Sequence, residues 1–427
     1  MTHFGILCPS SPGHLNPMIA LGKELVRRKH RVTLIQVPEL ESQALAAGLE
    51  FQAIGAKEFP PGVLAQKFAQ LGQLSGLRAI AFTLDLIKQG GTIILRDAPE
   101  IIASIGIEAL LVDQVSPESA TVAKHLKIPF ITICNALILN QEPGIPPLVT
   151  PWQPNTAWWV LLRNGVTYAV LERVAQPVRQ VLDEYHRKWN LPLYKKVADS
   201  LSDLAQISQQ PAEFEFPRTQ LPKCFHFTGP FVDPAGRKSI PFPYEKLTAQ
   251  PLIYASMGTL QNQQQKIFSA IASACANLDV QLVISLGGGS DPDVLPKLPG
   301  KPLVVQYAPQ LELLQKAALT ITHAGLNTAL ESLSHGVPMV AIPITNDQPG
   351  VAARIAWTKT GEFLPLSRLS VPQLKTAIQQ VLTDETYKQN ALRLQHATHQ
   401  AGGVRRAVEI IEQAIFTKKP VLNHTSF

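Results

Sequence analysis

Residues 303–350 read LVVQYAPQLELLQKAALTITHAGLNTALESLSHGVPMVAIPITNDQPG, and this stretch limits what the chain can fold into more than any other. Two short apolar runs, 318–322 and 339–344, have the length and β-branched content of buried strands. Between them, 325–334 carries apolar residues at helical spacing, so the order is strand, tight turn, helix, strand: a βαβ unit. His323, Gly325, Asn327 and Thr328 fall where the first strand gives way to the helix. A helix exposes there four N–H groups without internal partners, together with the positive end of its dipole, and phosphate is the usual occupant. Simple capping is the alternative role for Asn327 and Thr328. Glu331 follows on the helix, placed to accept from sugar hydroxyls. Asn346, Asp347 and Gln348 come directly after the next strand, at the end that lines the ligand crevice in parallel sheets. Upstream, Tyr307 offers a ring on which a base can stack. A ring platform, a phosphate cradle and hydroxyl-binding carboxylates together suit a nucleotide sugar.

The run YAPQ, HAGLNT, Glu331, HGVPM and Asp347-Gln348, joined by PSSPGHLNP near the N-terminus, resembles the donor-binding signature of the UDP-dependent glycosyltransferases. The resemblance spans the whole chain, is strongest over 254–350, and is similar to the bacterial branch acting on macrolides, carotenoids, sterols and flavonoids. It implies an α/β fold of two facing Rossmann-like domains with parallel sheets, the last helix crossing back onto the first domain. The expected division is 1–230 for the acceptor, 231–250 as linker, 251–400 for the nucleotide sugar and 401–427 for the returning helix. The resemblance assigns Tyr307 and Ala308 to the base, and Gln310 and Glu331 to the ribose. His323 goes to the diphosphate with Gly325, Asn327 and Thr328 beside it, and Asp347 and Gln348 to the sugar hydroxyls. Ser256 and Thr259, in a strand-to-helix loop, are expected phosphate neighbours, whereas Met257 between them also suits a core position. Two departures leave the donor sugar open: Leu326 and Tyr307 stand where many members carry tryptophan. UDP-glucose is the default donor, with a TDP-sugar as the alternative.

At 427 residues the chain exceeds what one core usually serves. A net charge of +6 raises the question of nucleic acid, but the basic residues are scattered. The densest group, 27–31, closes a helix, so an anionic small molecule is the smaller claim the charge supports. Four cysteines, Cys8, Cys134, Cys224 and Cys275, lack metal spacing and sit mostly in apolar runs. Buried free thiols in a reducing, cytoplasmic compartment are expected. The start MTHFGILCPS lacks the pattern of a signal peptide, and no apolar run is long enough to span a bilayer. A monomer is the default, and peripheral membrane contact is compatible with a lipophilic acceptor.

The N-terminal half alternates strand and helix: strands at 4–9, 31–37, 49–54, 109–112 and 129–134, helices at 15–28, 39–47 and 119–126. Its first loop holds only Gly13, so the three-glycine dinucleotide fingerprint is missing and a nicotinamide enzyme is disfavoured. Residues 57–96 read as helices jointed at Gly72, Gly76 and Gly90-Gly91, and 167–188 as one long helix. From 140 to 159 prolines alternate with Trp152, Trp158 and Trp159, which suit either an acceptor cleft or core packing. In the C-terminal half, strands are expected at 252–255, 281–285 and 303–305, and helices at 263–275, 351–358, 371–383, 385–399 and 404–416.

His14 lies where the first strand's loop meets its helix, and Asp113 ends another strand of the same sheet, so both face one rim. An imidazole titrates near neutrality, and a carboxylate on its far nitrogen fixes the tautomer and stabilises the imidazolium. In the resembled family this pair is the catalytic dyad. His14 takes the proton of an acceptor hydroxyl, and that oxygen displaces the diphosphate with inversion. No D-x-D triplet lies in the signature (Asp291-Pro292-Asp293 follows a glycine loop), so no essential metal and no cofactor beyond the donor is expected. The rival readings are a hydrolysing epimerase, which would need neither the His14–Asp113 pair nor an apolar acceptor wall, and a non-catalytic sugar-nucleotide binding module. Retaining transferases of the glycogen type need a basic pair absent from this signature.

Overall fold

The computed structural model describes residues 1–74, 76–233, 240–258, 265–288, 292 and 296–423. In the first half, β1 (His3–Leu7), β2 (Arg31–Gln36), β3 (Glu50–Ala53), β4 (Ala109–Asp113), β5 (Phe130–Cys134), β6 (Gln206–Ser208) and β7 (Phe225–Phe227) form a parallel sheet in the order β3-β2-β1-β4-β5-β6-β7. The helices of this half are α1 (Pro12–Arg27), α2 (Glu41–Ala46), α3 (Val63–Gln73), α4 (Gly76–Ile105), α5 (Pro117–Leu126), α6 (Trp158–Val174) and α7 (Gln176–Lys188). β1 and β4 are buried along their whole length, which is why both read as unbroken apolar runs rather than alternating ones. Their parallel register pairs Phe4 with Ala109 and Leu7 with Val112. The loop after β1 and the end of β4 therefore emerge side by side, where the strand order reverses and ligands of such sheets bind.

The second sheet repeats the plan. β8 (Leu252–Ser256), β9 (Gln281–Ser285), β10 (Leu303–Val305), β11 (Ala317–Thr322), β12 (Met339–Ala341) and β13 (Gly361–Phe363) run parallel in the order β10-β9-β8-β11-β12-β13. Around them lie α8 (Gln265–Cys275), α9 (Gln310–Leu314), α10 (Leu326–Ser334), α11 (Gln348–Trp357), α12 (Val371–Thr383), α13 (Glu385–Gln400) and α14 (Gly403–Thr417). The switch point falls between β8 and β11, so α10 starts at the crevice.

α14 leaves the second domain and packs on α1. Its Ala407, Ile410, Ile411 and Ile415 join Leu21, Leu25 and Phe4 in one buried cluster. Each buried isoleucine contributes about 1.5–3 kcal/mol. The basic group at the end of α1 is spent on this docking: Arg28 donates to Glu412 at 2.7 Å and His30 lies 3.0 Å from the same carboxylate. Hydrogen bonds from Arg27, aided by Arg28, hold Glu24 down at about 2.

Five elements differ from the expectations. The helix expected over 167–188 starts at Trp158 and breaks in two at Ala175, because Pro177 in the first turn of α7 has no N–H to continue the ladder. α4 runs through Gly90 and Gly91 without a joint. Two glycines cost about 1 kcal/mol each, less than the buried Ile93, Ile94 and Leu95 return. The strand expected over 339–344 pairs only across Met339–Ala341. β6 and β13, three residues each, are too short for a period to be read.

The two sheets share an apolar seam. Leu137 and Phe214 pack with Leu326, Leu330, Val351 and Ile355, and Ile145 and Phe216 with Ala353. A buried ion pair crosses it: Arg354 of α11 donates to both oxygens of Glu215, at 2.5 and 3.0 Å, and stacks over Phe216 at 4.2 Å. Arg218 reaches the same carboxylate at 3.3 Å. Burial works against the Glu215 charge, but the two guanidiniums outweigh it and hold the carboxyl below its ordinary range. Glu215→Ala leaves two buried cations without their anion and is expected to cost roughly 3–5 kcal/mol in urea denaturation. Arg354→Met leaves Glu215 its second arginine and should cost distinctly less.

Candidate active site

His14 sits in the first turn of α1, after a Pro12 that needs no N–H partner there. Its Nδ1 lies 2.7 Å from Oδ2 of Asp113, which is wholly buried. Asp113 is held from two further sides: Asn135 Nδ2 donates to Oδ2 at 2.7 Å and the Val115 N–H to Oδ1 at 3.0 Å. The carboxylate therefore cannot rotate away from the imidazole. Burial opposes the His14 cation, but Asp113, by charge and hydrogen bond, and Asp347 from the facing domain outweigh it and raise the pKa above the usual value. With Nδ1 engaged, Nε2 is the nitrogen left for chemistry.

Asp347 stands at the start of α11 with no side-chain bond to the helix end and accepts from the Leu137 N–H at 3.3 Å, across the seam. Burial raises its carboxyl above the ordinary range, against the pull of that hydrogen bond and of His14. The residue before it, Asn346, has φ +55, and Ala324 beside His323 has φ +63. Left-handed backbone costs a residue bearing a Cβ roughly 1–2 kcal/mol, and such strain gathers at functional turns. Gln348 is buried, and its side-chain oxygen accepts from the Ile344 and Thr345 N–H groups at 2.8 and 3.0 Å, bracing the loop.

The imidazole of His323 lies between two glycines. A Cβ on Gly258 would stand 2.6 Å from its Nε2 and one on Gly325 only 2.4 Å. Burial lowers its pKa to about 4, so at neutral pH the ring is uncharged and can offer a hydrogen bond but no charge. Gly325 caps α10, with no side chain bonded to the helix end, so Asn327 and Thr328 are not its caps. Thr328 is buried in the first turn. Asn327 turns to the other domain: it donates to the Gly13 carbonyl at 2.9 Å and accepts from Gln209 at 2.8 Å. What α10 presents to an anion is its backbone N–H groups. Leu326 is buried in the seam beside Leu137 and Phe214.

Farther along, Gln310 donates to Glu331 at 2.6 Å and accepts from the Tyr254 hydroxyl at 3.0 Å, which joins the two expected ribose residues. Tyr307 is half exposed, its hydroxyl against Gly288, while Ala308 is buried. Ser256 ends β8, buried, with Met257 in the core below it. Thr259 and the aspartates of the D-x-D letters lie outside the described residues. Among the described residues no three His, Cys, Asp or Glu side chains gather as a metal site, all four cysteines are buried and free, and no helix is long and apolar enough to cross a membrane.

Asn135 and Gln209 were not anticipated. Gln209 donates to the Asn135 carbonyl at 2.7 Å and to Asn327, closing a chain from Asp113 through Asn135, Gln209 and Asn327 to Gly13. Each directly follows a strand, β5 or β6, so strand-end position was the available signal. Glu118, buried in the first turn of α5, is pushed by burial to about 7, with Asp113 adding to the rise. Trp158 and Trp159 are not core residues: they are 77% and 53% exposed.

Comparison with known proteins identifies the family. Residues 98–425 match the family described as UDP-glucoronosyl and UDP-glucosyl transferase, and 11–109 the glycosyltransferase family 28 N-terminal domain. The zeaxanthin glucosyltransferase of Pantoea ananas is 31% identical, covering 100% of this chain and 99% of its own. That of Pseudescherichia vulneris is 34% identical over 97% and 98%. A crystal structure of the kitacinnamycin glycotransferase superposes with a TM-score of 0.76 at 22% identity, covering 97% and 98%. The chain belongs to the UDP-dependent glycosyltransferase family and has its two-domain GT-B fold.

Proposed function

We propose that this glycosyltransferase moves glucose from UDP-glucose to a hydroxyl of a small lipophilic acceptor such as a carotenoid, sterol, polyketide or flavonoid, by a single inverting displacement with His14 as general base. The observation that carries the reading is the 2.7 Å His14–Asp113 contact at the rim where α10 of the facing domain begins. The acceptor class is supported by the two relatives named zeaxanthin glucosyltransferase. The wider members of that class, and UDP-glucose over a TDP-sugar, follow the resemblance.

In the step, His14 Nε2 takes the hydroxyl proton as the acceptor oxygen bonds to the anomeric carbon. The bond from that carbon to the diphosphate breaks on the opposite face, and its electron pair leaves with UDP. Asp113 stabilises the imidazolium that forms, as a buried carboxylate does in hydrolase triads. Displacement from the far face parallels inverting glycosidases. Charge collects on the departing diphosphate, where the α10 N–H groups and the uncharged His323 ring can donate, a role otherwise taken by a metal ion. Gln310 and Glu331 suit the ribose, Tyr307 and Ala308 the base, Ser256 and Thr328 the phosphates, and Asp347 and Gln348 the sugar hydroxyls. Asp347 also biases His14, so sugar binding and base strength are coupled.

The deciding experiment is a donor and acceptor screen by mass spectrometry on wild type and His14→Ala. Gain of one hexose on a hydrophobic alcohol, reduced in the variant by about 10²–10⁴-fold, is expected. UDP release at equal rates in both, with no glycoside, would overturn the base assignment in favour of a hydrolase. A pH profile tests the coupling. His14 must be neutral to act and its pKa is raised, so activity should fall on the acid side from a midpoint above about 6.5. Asp347→Asn removes a charge that favours the cation, so that midpoint should move to lower pH, whatever happens to KM. For Asn135→Ala, which frees Asp113 to rotate, kcat is expected to fall with KM for the donor little changed.

A further inference from the structure

α6 buries only Val160 and Asn164 and turns much of its apolar surface outward. The face it turns inward carries its polar contacts: Asn164, 1% exposed, donates to the Pro143 carbonyl at 3.0 Å, and the Tyr168 hydroxyl to that of Ile145 at 3.3 Å. The face it turns outward is apolar. Trp158, Leu162, Val166, Val170 and Val174 are 41–77% exposed, with Trp159 beside the first of them. Four-residue spacing winds this row slowly round a helix about 25 Å long. A surface helix ordinarily reverses this arrangement. The row is a convex ridge rather than a groove, so it does not suit a small ligand. α6 is also too short, with Arg163 in its middle, to cross a bilayer.

We propose that the outer face of α6 is a docking surface for an anionic phospholipid bilayer, in whose interface the helix lies flat. Three features select a lipid surface over a protein partner. The tryptophans cluster at one end, where indoles suit the headgroup boundary. Charge is complementary: from 158 to 180 the chain carries Arg163, Arg173 and Arg179 against Glu172 alone. Arg163 caps the Trp152 face at 3.8 Å, Arg173 is exposed on α6, and Arg179, exposed on α7, donates to the Tyr194 carbonyl at 2.8 Å. Finally, α6 is continuous with the active site. The segment leading into it begins at Leu137, bonded to Asp347, and passes Leu148, whose carbonyl lies against Gly350. The chain thus links this face to the crevice of the dyad, a route for a lipophilic acceptor that rests on the acceptor class proposed above.

Flotation with vesicles tests the surface without using catalysis. Wild type should float with vesicles of equimolar phosphatidylglycerol and phosphatidylcholine and much less with phosphatidylcholine alone. A Leu162→Gln, Val166→Gln, Val170→Gln variant, with circular dichroism and melting like wild type, should remain in the aqueous phase. Arg173→Gln alone should weaken binding roughly five-fold. Flotation of the triple variant equal to wild type would overturn the proposal, as would wild type that fails to float. Wild type that instead sediments as a dimer, which the triple variant loses, would overturn it in favour of a second copy on this face. Glycosylation of a water-soluble acceptor by the triple variant at the wild-type rate is expected, and separates loss of docking from failure of the catalytic reading.

Discussion

Much of this molecule depends on one buried contact, the Arg354–Glu215 pair at the seam of the two sheets. Neither sheet contains a complete site. The His14–Asp113 pair lies on the first, the turn before α10 and Asp347 on the second, and each is an ordinary strand-end loop until the other faces it. Charges this deeply buried tolerate little displacement, since drawing Arg354 away from Glu215 leaves its guanidinium without an anion in a poor dielectric. The pair therefore sets the register in which α11 meets the first domain. Leu137 and Asp347 can then bond, and His14 comes to feel the Asp347 charge.

Around that anchor the site is held by polar groups at strand ends. Asp113 is gripped by His14, Asn135 and Val115, and the grip is handed on through Gln209 to Asn327 and so to the start of α1. Such a chain makes the dyad geometry sensitive to the arrangement of the domains. A nucleotide sugar that engages α10 and Asp347 would act on both ends of it. Backbone strain at Ala324 and Asn346 sits at the two loops where the second domain faces the first, and is sustained by the packing on either side.

The fold was largely legible because parallel strands buried on both faces must be apolar throughout, and the helices between them must carry a period. Val371–Thr383 and the strands at 281–285 and 303–305 appear as read. Errors fell where local pattern and tertiary packing disagree. Gly90 and Gly91 looked like a joint until the apolar residues after them were seen to be buried, and β6 and β13 are strands only because a neighbour supplies their partner. In the candidate site, His14 and Asp113, which the fold brings to 2.7 Å, and the turn before α10 stood out by residue type at a strand end. Asn135 and Gln209 occupy the same kind of position, but amides are too common in loops to stand out.

The sequence by itself determined the βαβ repeat, the family, and which polar and titratable side chains fall at strand ends, because periodicity and strand-end position are local properties. Only the tertiary structure decided what those side chains touch. Asn327, in the first turn of α10, became a bridge between domains, and Leu326, where many members place an aromatic ring, became part of the apolar seam. The tryptophans of 158–159 went to the surface rather than to the core, because α6 turns Val160 and Asn164 inward instead. Each outcome depends on which surface arrives opposite a residue, and that is set by contacts between positions far apart in the chain.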